Sequence, residues 1–152
     1  MTTYTASTAA AAPRSPHTGV QAAVFRFNGG STQIGSDGDV VVLCKVPNHA
    51  TVFDIRARVG TKNDGGGDLR LYLTRAGQSE TSTLASVGSL SISTLASPLQ
   101  FSPANAFAPF RLTITDAFAL QFAWLKCQFI NSSATASFSI DGFITYAMNV
   151  DT

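Results

Sequence analysis

Few groups in this sequence are able to do acid–base, nucleophilic or metal chemistry: two histidines, two cysteines and nine carboxylates among 152 residues. His17 lies in a Ser/Pro-containing stretch and His49 in a tight turn after Pro47, and neither has a carboxylate or a cysteine beside it at ligand spacing. A Ser–His–Asp arrangement would have to use His49, and no Gly-x-Ser-x-Gly elbow supports one. Asp37, Asp39, Asp64, Asp68 and Asp116 fall in turns, where aspartate caps backbone N–H groups far more often than it joins a pair of hydrolytic carboxylates. The loops Ser36-Asp37-Gly38-Asp39 and Asn63-Asp64-Gly65-Gly66-Gly67-Asp68 offer oxygen donors to calcium, yet neither follows the EF-hand order. The glycine run also lacks the Lys-Ser/Thr of a phosphate loop. Cys44 and Cys127 fall in expected strands at a spacing unlike a zinc motif. They read as buried free thiols, with a disulfide joining two sheets as the other reading. No catalytic residue, metal or cofactor is expected.

Charge excludes further classes. Only 12% of residues are charged and the net charge is +1. The lysines and arginines do not cluster, so there is no basic stripe to displace counterions from nucleic acid and no polybasic membrane contact. No apolar run approaches the roughly 20 residues of a spanning helix, and the first residues lack the basic and apolar regions of a secretory signal. A surface so poor in charge fits one covered by neighbouring proteins rather than by water.

The elements that would position these side chains are short alternating runs, and a period of two means strand. In Val20–Phe27, Phe25 and Phe27 share a face with Arg26 opposite. Val40–Val46 is a near-continuous apolar run, expected of a strand covered on both faces, and Pro47 ends it. Thr51–Val59 sets Phe53, Ile55, Ala57 and Val59 against Asp54, Arg56 and Arg58. Leu69–Thr74 sets Leu69, Leu71 and Leu73 inward and Arg70, Tyr72 and Thr74 outward. Weaker or longer runs follow at Ser89–Leu95, Phe110–Thr115, Leu120–Ile130 and Ala136–Val150, with Gly142 read as a bend or bulge. Phe25, Phe27, Phe53, Phe122, Trp124 and Phe138 are in phase with aliphatic residues and are expected in the core. Tyr72 is the clearest outward aromatic, and one such residue beside Arg70 is a thin basis for a glycan site. About eight strands, turns between them and no amphipathic helix fit an all-β fold, a single antiparallel β-sandwich of the jelly-roll kind. Residues 1–19, mostly Thr, Ala, Ser and Pro, cannot bury enough apolar surface to fold alone. They are expected as an extended N-terminal arm, with the sandwich over 20–152.

One stretch is more specific than the rest. Val46-Pro47-Asn48-His49-Ala50-Thr51-Val52-Phe53-Asp54-Ile55 joins a buried strand, a Val-Pro stop, a short turn and an alternating strand with Asp. It resembles a pattern of the jelly-roll capsid decoration, or cement, proteins of tailed bacteriophages. The opening Met1-Thr2-Thr3-Tyr4-Thr5 and the closing Asp141-Gly142-Phe143-Ile144-Thr145-Tyr146 look like theirs too. The resemblance implies a virion structural protein on the capsid surface, assembled in the host cytoplasm. It would bind the major capsid protein and other copies of itself, often as a homotrimer. Expected contacts are the arm residues Thr2, Thr3, Tyr4, Thr5, Pro13, Arg14 and Pro16, and the outward residues Arg56, Arg58, Arg70 and Tyr72. The alternatives are another virion component (a tail, collar, head-fibre or minor capsid subunit) and a carbohydrate-binding module or adhesin.

Overall fold

The computed structural model describes residues 1–10, 20–61, 67–75, 85–91, 99–101, 110–111 and 122–148. Among these described residues ten strands run in chain order as β1 (Thr3–Thr5), β2 (Val20–Asn28), β3 (Val40–Pro47), β4 (Thr51–Thr61), β5 (Asp68–Arg75), β6 (Ala85–Ser91), β7 (Leu99–Phe101), β8 (Phe110–Arg111), β9 (Phe122–Ile130) and β10 (Ser139–Ala147). A 3-10 turn at Ser7–Ala10 follows β1. One sheet has the order β1-β3-β9-β5-β6, and the other has the order β2-β10-β4-β7 with β8 also on β4. The two pack face to face as an all-β sandwich of jelly-roll type. Pairing is antiparallel except between β1 and β3, which run parallel.

The core lies between the sheets because alternation sends one side of each strand inward. Val41, Cys127 and Leu71 form one inward row across β3, β9 and β5, and Cys44, Leu125 and Leu73 form another. Phe25, Ile55, Val59, Ile140, Ile144 and Tyr146 meet them from the other sheet. Phe129 and Phe138 lock together edge to face with ring centroids 4.9 Å apart, a favoured aromatic geometry. Val40–Cys44 is buried throughout, as a doubly covered strand requires. Its ladder skips Leu43, so a bulge lets both Leu43 and Cys44 join the core.

Several expectations need correction. The weak strand expected at Ser89–Leu95 begins at Ala85, and β1 and β7 were not expected at all. The first ten residues do not form a free arm: β1 is hydrogen-bonded to β3, and the 3-10 turn packs on both β3 and β2. The rest of the expected arm, residues 11–19, lies outside the described residues. Phe53 is only half-buried, because the ladder between β4 and β10 skips it and hands its place in the core to Val52. Phe122 and Trp124 lie on the outer side of β9, not in the core. Lys45 Nζ stands 4.8 Å from the Phe122 ring centre and 5.3 Å from that of Trp124, close enough for cation–π attraction. Gly142 is neither bend nor bulge: it pairs in register with Phe25 on one side and Ala57 on the other.

Candidate assembly surface

Among the described residues the groups with chemical potential are occupied structurally. Asp39 is 3% exposed. Its Oδ2 accepts the backbone N–H groups of Gly35 (3.3 Å) and Ser36 (3.0 Å), and its Oδ1 that of Thr2 (2.8 Å). Asp37 Oδ1 accepts the Asn131 N–H at 2.7 Å. Both are turn aspartates satisfying backbone donors, and no group of three or more His, Cys, Asp or Glu among the described residues could hold a metal ion. Asp64 and Asp116 lie outside the described residues, as does His17. His49 sits in the turn between β3 and β4 with φ +67°.

Cys44 and Cys127 are free and lie on neighbouring strands of one sheet, so they do not join two sheets. Burial pushes both thiols up to about 12. At neutral pH neither is a thiolate, and the thiolate is the nucleophile and the metal ligand.

Among the described residues, an exposed surface with apolar and charged side chains lies on the outer side of β2, β10 and β4. Val24, Phe143 and Arg56 lie side by side across the three strands. Val24 is 67% and Phe143 38% exposed, and Val20 on the same side of β2 is also exposed. The neighbouring row is Arg26, Asp141 and Arg58. Arg58 binds Asp141 through two hydrogen bonds of 3.2 and 3.3 Å, and Arg56 binds Asp54 at 2.7 Å. Arg26 forms no ion pair among the described residues. Arg26, Arg58, Asn28, Ser139 and Asp141 border a shallow depression of about 230 Å³. Three arginines and two aspartates leave this side one positive charge in excess. Cationic groups around an exposed apolar centre have the make-up of a protein-binding patch, in which arginine and aromatic residues are enriched.

Of the expected contact residues, Arg56 and Arg58 are on this surface. Arg70 and Tyr72 are elsewhere, on the outer side of the β1-β3-β9-β5-β6 sheet, and there the expectation of an accessible aromatic fails. Tyr72 is 0% exposed, with the Arg70 guanidinium 4.7 Å above its ring. Val42, Thr74 and Lys126 beside it are buried too. The phase of β5 was read correctly, but outward on this sheet does not mean exposed. Thr2, Thr3, Tyr4 and Thr5 run along β3; the Tyr4 hydroxyl donates to the Gln33 carbonyl at 3.3 Å, and its ring lies 6.4 Å from that of Phe27. Pro13, Arg14 and Pro16 lie outside the described residues. Val24, Phe143 and Arg26 were not expected as surface contacts. The signal was available, because Val24 and Arg26 share a phase on β2, opposite to that of Phe25 in the core and Phe27 packed against it.

No protein-family model matches the chain, and no curated protein matches it. Solved structures do. A chain of the capsid of Ralstonia phage GP4 superposes with a TM-score of 0.64 over 98% of this chain and 99% of that one, at 11% identity. A chain of the cyanophage Pam1 capsid asymmetric unit superposes with a TM-score of 0.50 over 91% and 94%, at 15% identity. This chain has the fold of chains found in two phage capsids.

Proposed function

We propose that this chain is a structural protein of a phage particle, a decoration or cement subunit that binds the assembled head through protein–protein contacts and does no chemistry. The observation that carries the reading is the end-to-end likeness to a chain of a phage capsid, 98% of one and 99% of the other. The surface chemistry supports it: 12% charged residues, reactive groups of the described residues spent on turns and core, and an exposed apolar patch rimmed by arginines. The partners are the major capsid protein and further copies of this chain, as a trimer. Arg26 and the ion-paired Arg56 and Arg58 would receive acidic side chains of a neighbour, while Val24 and Phe143 would be covered. Thr3 and Thr5, exposed on β1, together with Pro13, Arg14 and Pro16, form the second contact. Binding the finished lattice and not its separate subunits shifts the balance toward the lattice by mass action.

Electron microscopy of purified particles tests this reading. The expected result is density for the sandwich at repeated positions on the outside of the head, in groups of three. Absence of the protein from the particle would overturn it, and density confined to the tail would replace the head by the tail.

A further inference from the structure

We propose that the open edge of β2 is a pairing site for the same strand of a second copy of this chain, antiparallel about a two-fold axis at Ala22. β2 ends its sheet, with β10 on one side and no strand on the other among the described residues. Its register with β10 runs from Val20 to Asn28 without a bulge, so successive residues point their N–H and C=O groups alternately toward β10 and away from it. Arg26 fixes the phase: its N–H reaches the Thr8 hydroxyl at 3.3 Å and not β10. Val24, Ala22 and Val20 therefore present their backbone groups at the open edge as well, and no backbone partner meets them there among the described residues. All three are exposed. The devices that keep an open edge from pairing are lysine, proline, a bulge or an inward charge, and Val20–Phe25 has none of them.

The row is built to meet itself. Thr8 closes the ladder at Arg26, so the free row is centred on Ala22. A two-fold axis there sets Val20 against Val24 of the second copy, Ala22 against Ala22, and Val24 against Val20. Facing residues share the outward phase, so each pair exchanges both N–H···O bonds. Nothing charged lies in the paired stretch. No like charges therefore oppose each other, and the row offers a foreign strand no charge to recognise. The smallest side chain falls on the axis, and β-branched valines, which suit a pleated surface, face each other on either side. The apolar surface of one copy, with Val20, Val24 and Phe143, then runs on into that of the other. Val20–Val24 is a short contact, well below a standard interface in area, so pairing is weak in dilute solution and strengthens where copies are held side by side. It uses the edge of the sheet and needs only this chain, so it stands or falls apart from the reading as a capsid protein.

Hydrogen exchange of the full chain as a function of its concentration tests the pairing. Where about nine-tenths of the chains are paired, the Ala22 and Val24 amides should exchange about tenfold more slowly than at high dilution, since exchange then proceeds from the unpaired remainder. The Ala23 amide, which faces β10, should not change. Ala22→Lys sets like charges together on the axis, and Val24→Pro removes an edge donor while leaving the ladder to β10 intact; each should abolish the concentration dependence. Ala22→Cys should oxidise to a disulfide-linked pair, because hydrogen-bonded antiparallel partners have Cα atoms about 5.5 Å apart, within reach of a disulfide. The native chain, whose Cys44 and Cys127 are buried, should not. Self-association that leaves Ala22 and Val24 exchange unchanged would overturn the proposal, as would the absence of association up to about 1 mM. Slowing that survives both Ala22→Lys and Val24→Pro would do the same. Protection of both amides at every dilution would put another part of the same chain, such as residues 11–19, on the edge, and would also overturn it.

Discussion

Gly142 shows how closely the two sheets constrain single residues. A β-carbon built on it would lie 2.0 Å from the Arg56 carbonyl oxygen, 2.7 Å from Phe25 Cζ and 2.8 Å from Ala57 Cα. Two of these neighbours are backbone and cannot swing aside. Gly142→Ala should therefore destabilise the fold by about 2–3 kcal/mol, as overpacking of a dense core does, with a lower urea midpoint at unchanged slope. The thiols give a prediction in pH. Burial raises Cys44 and Cys127 from 9.0 to about 12, so between those values the folded state keeps protons that the unfolded state has lost. Stability is intact below pH 9 and falls as pH rises from 9 toward 12, by at most about 1.4 kcal/mol per pH unit for each thiol. Urea melts at pH 8 and pH 10 should show this extra loss in the native chain and not in a Cys44→Ala/Cys127→Ala variant. At this scale the sequence was readable where side-chain phase decides burial, as at Phe25, Phe138 and Ile144. It was silent where the backbone decides. A bulge at Phe53 reverses the pattern without a glycine or proline to mark it, and Tyr72 is buried on a side whose phase reads as solvent.

At the scale of elements the least expected feature is the first ten residues. β1 is three residues long and polar at both ends, with only Tyr4 to suggest an inward side, so no periodicity reveals it. It persists because tertiary contacts replace propensity. The Thr8 hydroxyl donates to the Leu43 carbonyl of β3 at 2.7 Å and accepts the Arg26 N–H of β2 at 3.3 Å, bridging the two sheets, while Ala6 and Ala9 are buried beneath it. The bond to Arg26 also occupies one donor on the open edge of β2, where an unpaired ladder invites aggregation. Thr8→Val keeps the shape and removes both bonds, and should cost about 1 kcal/mol in chemical denaturation. Deleting residues 1–10 should cost considerably more, since it uncovers the edge of β3. A truncated chain with unchanged stability would show that the segment does not hold the two edges together. The long strands were legible by contrast: β3, β5 and β9 carry continuous or alternating apolar residues that only one pairing register can bury.

For the whole molecule, the two outer sides differ. On the β1-β3-β9-β5-β6 sheet even outward residues such as Thr74, Tyr72 and Lys126 are buried, whereas on the β2-β10-β4 side Val20, Val24 and Phe143 stand in solvent. The fold gains little from the exposed side. Its ion pairs are half in water, where such pairs contribute about 0–1 kcal/mol, and its apolar residues are not part of the core. On the proposed function their value lies in what they touch, and stability and assembly should therefore separate under mutation. Val24→Asp with Phe143→Ser, or Arg58→Ala alone, should leave the thermal midpoint within a few degrees of the native value, as surface substitutions do. The same variants should bind heads stripped of this protein at least about tenfold more weakly, the effect of losing an anchor at the centre of an interface. Phe138→Ala in the core should do the reverse at low temperature, where the protein is still folded: a loss of about 3–5 kcal/mol in stability with occupancy of the head preserved. Native occupancy by the Val24→Asp/Phe143→Ser variant would move the contact away from β2, β10 and β4, leaving β1 and the segment with Pro13, Arg14 and Pro16 to hold the head.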